Sequence, residues 1–153
     1  MKLVASSIGV ALVLIYVVGS GLWVNTGDGW YRGLNQPAWQ PPDFIFGIIW
    51  PYNFIMLGIA AFNVAQSLTK IQTVTWLIFF AASVAAALVW AYQFYVPHNL
   101  SIAATALGVA ALLTIPVLYL TFKASLMIGL LLIPYQIWVT IATTLAWGYA
   151  TRN

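Results

Sequence analysis

Long apolar runs, separated by a few charged residues, dominate the pattern of this chain. Five of them cover about residues 3–24, 44–66, 73–96, 100–122 and 124–149, and none contains Lys, Arg, Asp or Glu. Each is longer than the roughly 20 residues that a helix needs to cross a bilayer. Continuous runs of this length do not fit the short alternating strands of a membrane barrel. We therefore predict an all-α membrane protein whose residues 1–153 form one domain, a five-transmembrane-helix bundle.

The composition supports a membrane environment for these helices. Hydrophobic residues make up 63% of the 153 residues and charged residues 5%, against about 25% charged residues in a typical globular protein. Because so few charged residues cannot cover the surface of a soluble domain, the outer surface must face lipid. We expect an integral, multi-pass membrane protein with lipids as its immediate partners.

The first run has an alternative reading as a signal peptide, because Lys2 precedes it. The run is long for such a segment, and no clear cleavage site precedes a soluble domain. We therefore expect it to be retained as a helix. Lys2, Lys70 and Lys123 then share one side of the membrane and Arg32 and Arg152 the other, which favours a cytoplasmic amino terminus by a margin of one charge.

The scarcity of reactive side chains excludes several functions. The chain has no Cys and no Glu, its only acids are Asp28 and Asp43, and its only histidine is His98. These residues cannot form a hydrolytic set, and we predict no metal site. His98 has two readings, an interfacial loop residue or an axial haem ligand. The scattered basic residues argue against binding of nucleic acid, and the uncharged spans argue against proton-coupled transport.

The segment between the first two spans, about residues 25–43, is unusually aromatic and rich in proline. Trp30, Tyr31 and Trp39 lie among three prolines. Proline restricts the backbone, and aromatic rings favour a partly apolar environment. We therefore expect an ordered lid over one end of the bundle; the alternative is an aromatic belt at the membrane interface.

Within the spans, large rings and small residues recur at helical spacing. The stripes are Trp50, Phe54 and Ala61 in the second span, Ser83, Ala87, Trp90 and Phe94 in the third, and Tyr135, Trp138, Ala142, Leu145 and Tyr149 in the fifth. Such stripes either fill space between helices and lipid or line an apolar slot for a flat ligand. Spacing alone leaves both readings open.

Two multi-residue motifs resemble those of the TspO/MBR family, the tryptophan-rich sensory proteins and translocator proteins. The motifs are Trp30-Tyr31-x-x-Leu34-x-x-Pro37-x-Trp39-x-Pro41-Pro42 with Gly47, Trp50, Gly58 and Ala60, and Pro134-Tyr135-x-x-Trp138-x-x-x-Ala142-Thr143-x-Leu145. The chain departs from the family pattern at Gln36, Asn53, Phe54, Ala87 and Ala146. The resemblance covers nearly the whole chain. The departures at Ala87 and Ala146 remove polar groups from the bundle, which disfavours ligands that need amide hydrogen bonds.

The resemblance implies a receptor or translocator that binds tetrapyrroles such as porphyrins, with no covalent cofactor, and also sterols or benzodiazepine-like drugs. Two stretches, residues 117–123 and 145–152, fit the loose cholesterol pattern. Arg32 is either a solvated charge or the partner of a ligand carboxylate. The expected ligand-binding residues are Trp30, Tyr31, Trp39, Phe46, Trp50, Phe54, Ala87, Trp90, Phe94, Tyr135, Trp138, Ala142 and Leu145.

The resemblance leaves alternatives to simple binding. Trp50 and Trp138 would take part if the protein degraded bound porphyrin in light, and a stress sensor or scaffold acting through partners is a further alternative. The small residues of the third span, including Ala81 and Ala85, either pack inside the bundle or form a homodimer contact; the family favours the homodimer. We expect a bacterial or archaeal cell membrane as the location.

Overall fold

The computed structural model describes all residues from Met1 to Asn153 and is entirely helical. Its elements are α1 (Lys2–Trp23), the short α2 (Gly29–Arg32), α3 (Asp43–Ser67), α4 (Lys70–Tyr95), α5 (Leu100–Ala124) and α6 (Leu126–Arg152). All except α2 are long and apolar enough to cross a membrane. The prediction of an all-α protein with five membrane spans is confirmed.

Local capping explains where the helices differ from the predicted spans. α4 begins at Lys70 rather than near residue 73, because the Thr69 and Gln72 side chains form a capping box. α5 continues to Ala124. Ser125 then adopts an extended conformation and caps α6, which begins two residues later than predicted and runs on to Arg152.

The five long helices form a closed bundle in the order α1, α3, α6, α5, α4. Direct contacts join each neighbouring pair in this ring, and α4 closes it by contacting α1. The interior contains Tyr16, Leu57, Trp76, Leu107 and Tyr135, all nearly inaccessible to solvent. α1 is thus an integral wall of the bundle.

Small residues allow the helices to approach closely. A Cβ atom at Gly9 of α1 would lie 2.6 Å from the Cβ of Ala61 in α3, and one at Gly19 would lie 2.8 Å from Cδ2 of Leu88 in α4. The Leu88 side chain can turn away, but Ala61 cannot, so glycine at position 9 allows the close approach of α1 to α3. Ala85 faces outward from α4 and Ala81 is half-buried, so the homodimer through this face stays a prediction.

A few buried hydrogen bonds fasten one helix to another. Nε1 of Trp76 in α4 donates to the carbonyl oxygen of Val117 at 3.1 Å and to Oγ1 of Thr121 at 3.0 Å, both in α5. The hydroxyl groups of Tyr135 and Tyr16 lie 3.1 Å apart and join α6 to α1. These bonds satisfy polar groups that would be costly to leave unpaired in an apolar interior.

Candidate functional site

A segment between α1 and α3 covers one end of the bundle. We call residues 24–42 the lid; it contains α2, whose first turn is capped by the carboxylate of Asp28, which accepts a hydrogen bond from the Tyr31 amide at 2.9 Å. Proline at positions 37, 41 and 42 restricts the rest of the segment. Because of this cap and these prolines, the lid loses little entropy on adopting an ordered path.

The lid is attached to the carboxyl-terminal end of α6. The backbone amide of Asn35 donates to Oδ1 of Asn153 at 2.8 Å, and Nδ2 of Asn35 donates to the carbonyl oxygen of Arg152 at 3.1 Å. Nε1 of Trp39 donates to Oγ1 of Thr144 at 3.2 Å. The Arg152 guanidinium lies 4.8 Å from the centre of the Trp39 ring, a cation–π contact.

A second set of contacts joins the lid to the α4–α5 connection and to the interior. The Trp30 ring stacks on His98, with centroids 3.6 Å apart and planes 8° from parallel. His98 itself has a positive φ of 60°. The Tyr149 hydroxyl of α6 donates to Oε1 of Gln40 and lies 3.4 Å from the Tyr31 hydroxyl. The lid is therefore attached both to α6 and to the connection between α4 and α5.

Beneath the lid lies a cavity of about 560 Å³, within the range of small-molecule sites. Its walls come from the lid-side halves of α1, α3, α4 and α6, and α5 does not take part. The lining residues are Val17, Ser20, Gly21, Val24, Thr26, Tyr31, Arg32, Gln40, Asp43, Phe46, Gly47, Trp50, Phe54, Trp90, Phe94, Tyr95, Trp138, Ala142, Leu145, Ala146 and Tyr149.

Aromatic rings dominate the part of the cavity between α3 and α6. The Trp50 and Trp138 rings meet edge to face with centroids 6.2 Å apart. Phe46 meets Trp138 in the same manner at 5.1 Å, and Phe54 lies roughly parallel to Trp50 at 5.5 Å. This wall offers both ring faces and ring edges, which suits an extended aromatic ligand.

Polar groups concentrate at the lid end of the cavity. Arg32 and Asp43 both line it, and Nη1 of Arg32 lies 3.9 Å from Oδ2 of Asp43. Both side chains are largely exposed, so this ion pair is weak and either partner can exchange it for another. The Nε1 atom of Trp138 is buried without a hydrogen-bond partner and is not accessible from the cavity. The cavity is thus apolar in its depth and polar at its mouth.

Most of the residues expected to bind ligand come together in this cavity. Tyr31, Phe46, Trp50, Phe54, Trp90, Phe94, Trp138, Ala142 and Leu145 all line it, as does Arg32. The structure brings these residues from the lid and three helices to one place.

Four of the expected residues lie outside the cavity lining. Trp30 stacks on His98, and Trp39 lies on the outer side of the lid against α6. Ala87 and Tyr135 are buried within the bundle, where Tyr135 pairs with the hydroxyl of Tyr16. Their role in ligand binding stays a prediction, and they do not line this cavity because helical spacing gives a common stripe but not the depth at which a cavity ends.

The sequence analysis missed the contribution of α1. Val17, Ser20 and Gly21 of α1 line the cavity, followed by Val24 at the start of the lid, although the first span contains no motif and no aromatic stripe there. The one available signal was the cluster of small residues at positions 19–21, near the end of the run. A Cβ atom at Gly21 would have no atom within 4 Å, so this stretch leaves space beside the rings.

The site has no constellation for metal binding. No group of three or more His, Cys, Asp or Glu residues could hold a metal ion. His98 lies outside the cavity lining and is exposed, with its ring against Trp30. The cavity can therefore bind a ligand through ring contacts, one or two charges and hydrogen bonds.

Comparison with known proteins agrees with this architecture. The profile of the TspO/MBR family matches residues 7–152. The chain is 31% identical to the tryptophan-rich sensory protein of Cereibacter sphaeroides over 140 residues, which cover 88% of this chain and 87% of that protein. It is 29% identical to the tryptophan-rich protein TspO of Archaeoglobus fulgidus over 160 aligned positions, covering 100% and 97% of the two chains. The chain is also 28% identical to the human translocator protein over 134 residues, which cover 84% of this chain and 77% of that protein.

Proposed function

Because this chain belongs to the TspO/MBR family of membrane proteins, we propose that its cavity binds a tetrapyrrole of the porphyrin type. The observation that carries the proposal is that Trp50 and Trp138 face the same cavity with their centroids 6.2 Å apart. A porphyrin is flat, apolar at its centre and carboxylated at its rim. It matches a space with aromatic walls and a polar mouth.

The proposed orientation follows from the distribution of polarity. The macrocycle lies against Trp50, Phe54 and Trp138, where dispersion and offset ring contacts stabilise it. Its carboxylates point toward the lid, where Arg32 replaces its weak contact with Asp43 by a pair with the ligand. Sterols and benzodiazepine-like drugs would use the apolar part of the cavity without this charge pair.

The direct test is a titration of the purified protein with protoporphyrin IX, followed by quenching of tryptophan fluorescence. Replacing Trp50 and Trp138 together by Leu should weaken binding about fivefold or more, because each buried ring contact contributes roughly 0.5–1.5 kcal/mol beyond area burial. Trp147→Leu is the matched control, since Trp147 is on the outer face of α6 and does not line the cavity. Unchanged affinity in the double variant would remove the proposed site.

Light-dependent breakdown of the bound porphyrin is a second candidate, favoured by the presence of two indole rings in one cavity. In this reaction the excited macrocycle would be oxidised by dissolved dioxygen, whose two oxygen atoms add across one meso carbon–carbon bond, which breaks to give two carbonyl groups; the adjacent indoles would position the macrocycle and lend and recover a single electron. Illumination of the complex should then bleach the Soret band faster than illumination of free pigment, and only in air. Equal bleaching rates for bound and free pigment would leave binding as the function.

A further inference from the structure

The end of the bundle opposite the lid contains a second, smaller cavity. Its volume is about 180 Å³, and it lies where the amino-terminal turns of α1 and α4 meet the carboxyl-terminal end of α3. Ala5, Ala65, Leu68 and Val74 form its apolar part. Because α1 and α4 contribute their opposite halves to the large cavity, the two cavities lie at opposite membrane faces.

Two lysines contribute positive charge to this cavity. Lys2 and Lys70 both line it, beside Met1 with its α-amino group. Nζ of Lys2 donates one hydrogen bond, to the carbonyl oxygen of Gln66 at 3.1 Å, which leaves two of its three protons available. Lys70 forms no ion pair, since the one ion pair of the protein joins Arg32 and Asp43.

No carboxylate is available to neutralise these two charges. Asp28 caps α2 in the lid, and Asp43 begins α3. The full length of α3 therefore separates the nearest acid from the cavity, which contacts the last residues of that helix. The first turns of α1 and α4 add the positive ends of two helix dipoles to the same place, against the negative end of the α3 dipole. The site has a net positive potential with no internal counterion.

The surroundings of the cavity are those of a lipid-facing surface. Leu3 and Ile71 flank the two lysines, and their side chains are 78% and 79% exposed. Exposed apolar residues next to basic residues at a helix end mark the depth of the lipid headgroups, where lysines extend toward the interface. A ligand at this depth must have an apolar part for the groove and an anionic part for the ammonium groups.

We propose that this cavity binds an anionic phospholipid. Its phosphate contacts the ammonium groups of Lys2 and Lys70, and an acyl chain follows the groove along Ala5 and Val74. A zwitterionic phospholipid has its own cation beside the phosphate, so it gains less from the two lysines. Charge complementarity thus selects a lipid with net negative charge over phosphatidylcholine. This site is independent of the porphyrin cavity.

The test uses native mass spectrometry of the full chain in detergent, titrated with phosphatidylglycerol or phosphatidylcholine. Binding of phosphatidylglycerol should fall about fivefold for each lysine replaced and about 25-fold for Lys2→Gln with Lys70→Gln. Lys123→Gln is the matched control, because Lys123 is a basic residue that ends a helix on the same membrane face but does not line the cavity. Lys70→Arg should retain binding, since it keeps the charge.

Three outcomes would overturn the proposal. They are equal binding of the two lipids, unchanged binding in the double variant, and an equal loss in Lys123→Gln, which would indicate a general effect of net charge. A competition with inorganic phosphate distinguishes a lipid site from a simple anion site. Displacement of phosphatidylglycerol by phosphate at matched concentration would be a fourth result against the proposal. Unchanged porphyrin titration and an unchanged Tm in phosphatidylcholine verify that the variants are folded.

Discussion

Pro37 of the lid packs directly on Gly148 of α6. A Cβ atom at position 148 would lie 2.6 Å from Cγ of Pro37 and 3.0 Å from Cζ2 of Trp39. Only glycine leaves room for this approach without displacement of the lid, and Pro37 is itself buried. Pro37 belongs to the first motif, and Gly148 lies three residues after Leu145, the end of the second motif. Their contact holds the lid over the cavity.

Gly148→Ala should therefore loosen the lid. The added methyl group collides with the Pro37 ring, and relief of such overpacking typically costs about 1–3 kcal/mol. We expect porphyrin to dissociate several times faster from this variant in stopped-flow fluorescence. Gly58→Ala is the control, because a Cβ there has no atom within 4 Å and alanine favours a helix. Equal dissociation rates in both variants would contradict a role for this contact in closing the lid.

The open space beside Gly47 predicts that a larger side chain there fills the cavity. Gly47 lines the cavity, and a Cβ atom at this position meets no atom within 4 Å. Gly47→Leu should fold normally and weaken protoporphyrin IX binding about tenfold or more, since the leucine occupies ligand volume. Gly58→Leu lies on the same helix, has equal space around it and does not line the cavity. It should bind porphyrin as the unmodified chain does; a similar loss in both variants would point to a general effect on α3.

The proposed ion pair between Arg32 and the ligand can be tested by comparing a charged porphyrin with an uncharged one. Arg32→Gln should weaken binding of protoporphyrin IX at low salt by up to about fivefold, the effect expected for an exposed ion pair. Binding of the uncharged dimethyl ester should not change, because the ester offers no carboxylate to the guanidinium. The comparison requires fluorescence titrations of both ligands at low and high salt. Equal losses for the acid and the ester would mean that Arg32 acts through packing.

The hydroxyl pair between Tyr16 and Tyr135 predicts a measurable contribution to stability. The two oxygens lie 3.1 Å apart in the interior and link α1 to α6. Tyr16→Phe should lower the free energy of unfolding by about 1 kcal/mol, because it removes one hydrogen bond and leaves the buried Tyr135 hydroxyl without this partner. Tyr119→Phe, at a residue 62% exposed on α5, should have little effect. Thermal unfolding in one detergent measures both, and equal Tm values would show that the pair contributes no net stability.

The five spans and the family were readable from the sequence because both depend on local features. A run of about twenty apolar residues is a sufficient reason for a membrane helix, and the Trp30–Pro42 and Pro134–Leu145 motifs are contiguous. Helix ends were less well predicted, as at Lys70 and Leu126, because each cap depends on only one or two side chains: Thr69 with Gln72 for α4, and Ser125 for α6. Such errors moved boundaries by a few residues and left the number of spans unchanged.

The tertiary structure alone decided which face of each helix points inward. In a soluble protein, a polar face marks the outside of a helix, but lipid and protein interior are both apolar, so that contrast disappears in these spans. For this reason the sequence could not tell that Tyr135 and Ala87 lie in the packed interior, that Trp39 lies on the outer side of the lid, or that α1 supplies part of the cavity wall. Composition determined that the chain crosses a membrane and which rings it contains. The packing of small residues such as Gly9 and Gly148 against their neighbours determined where those rings meet.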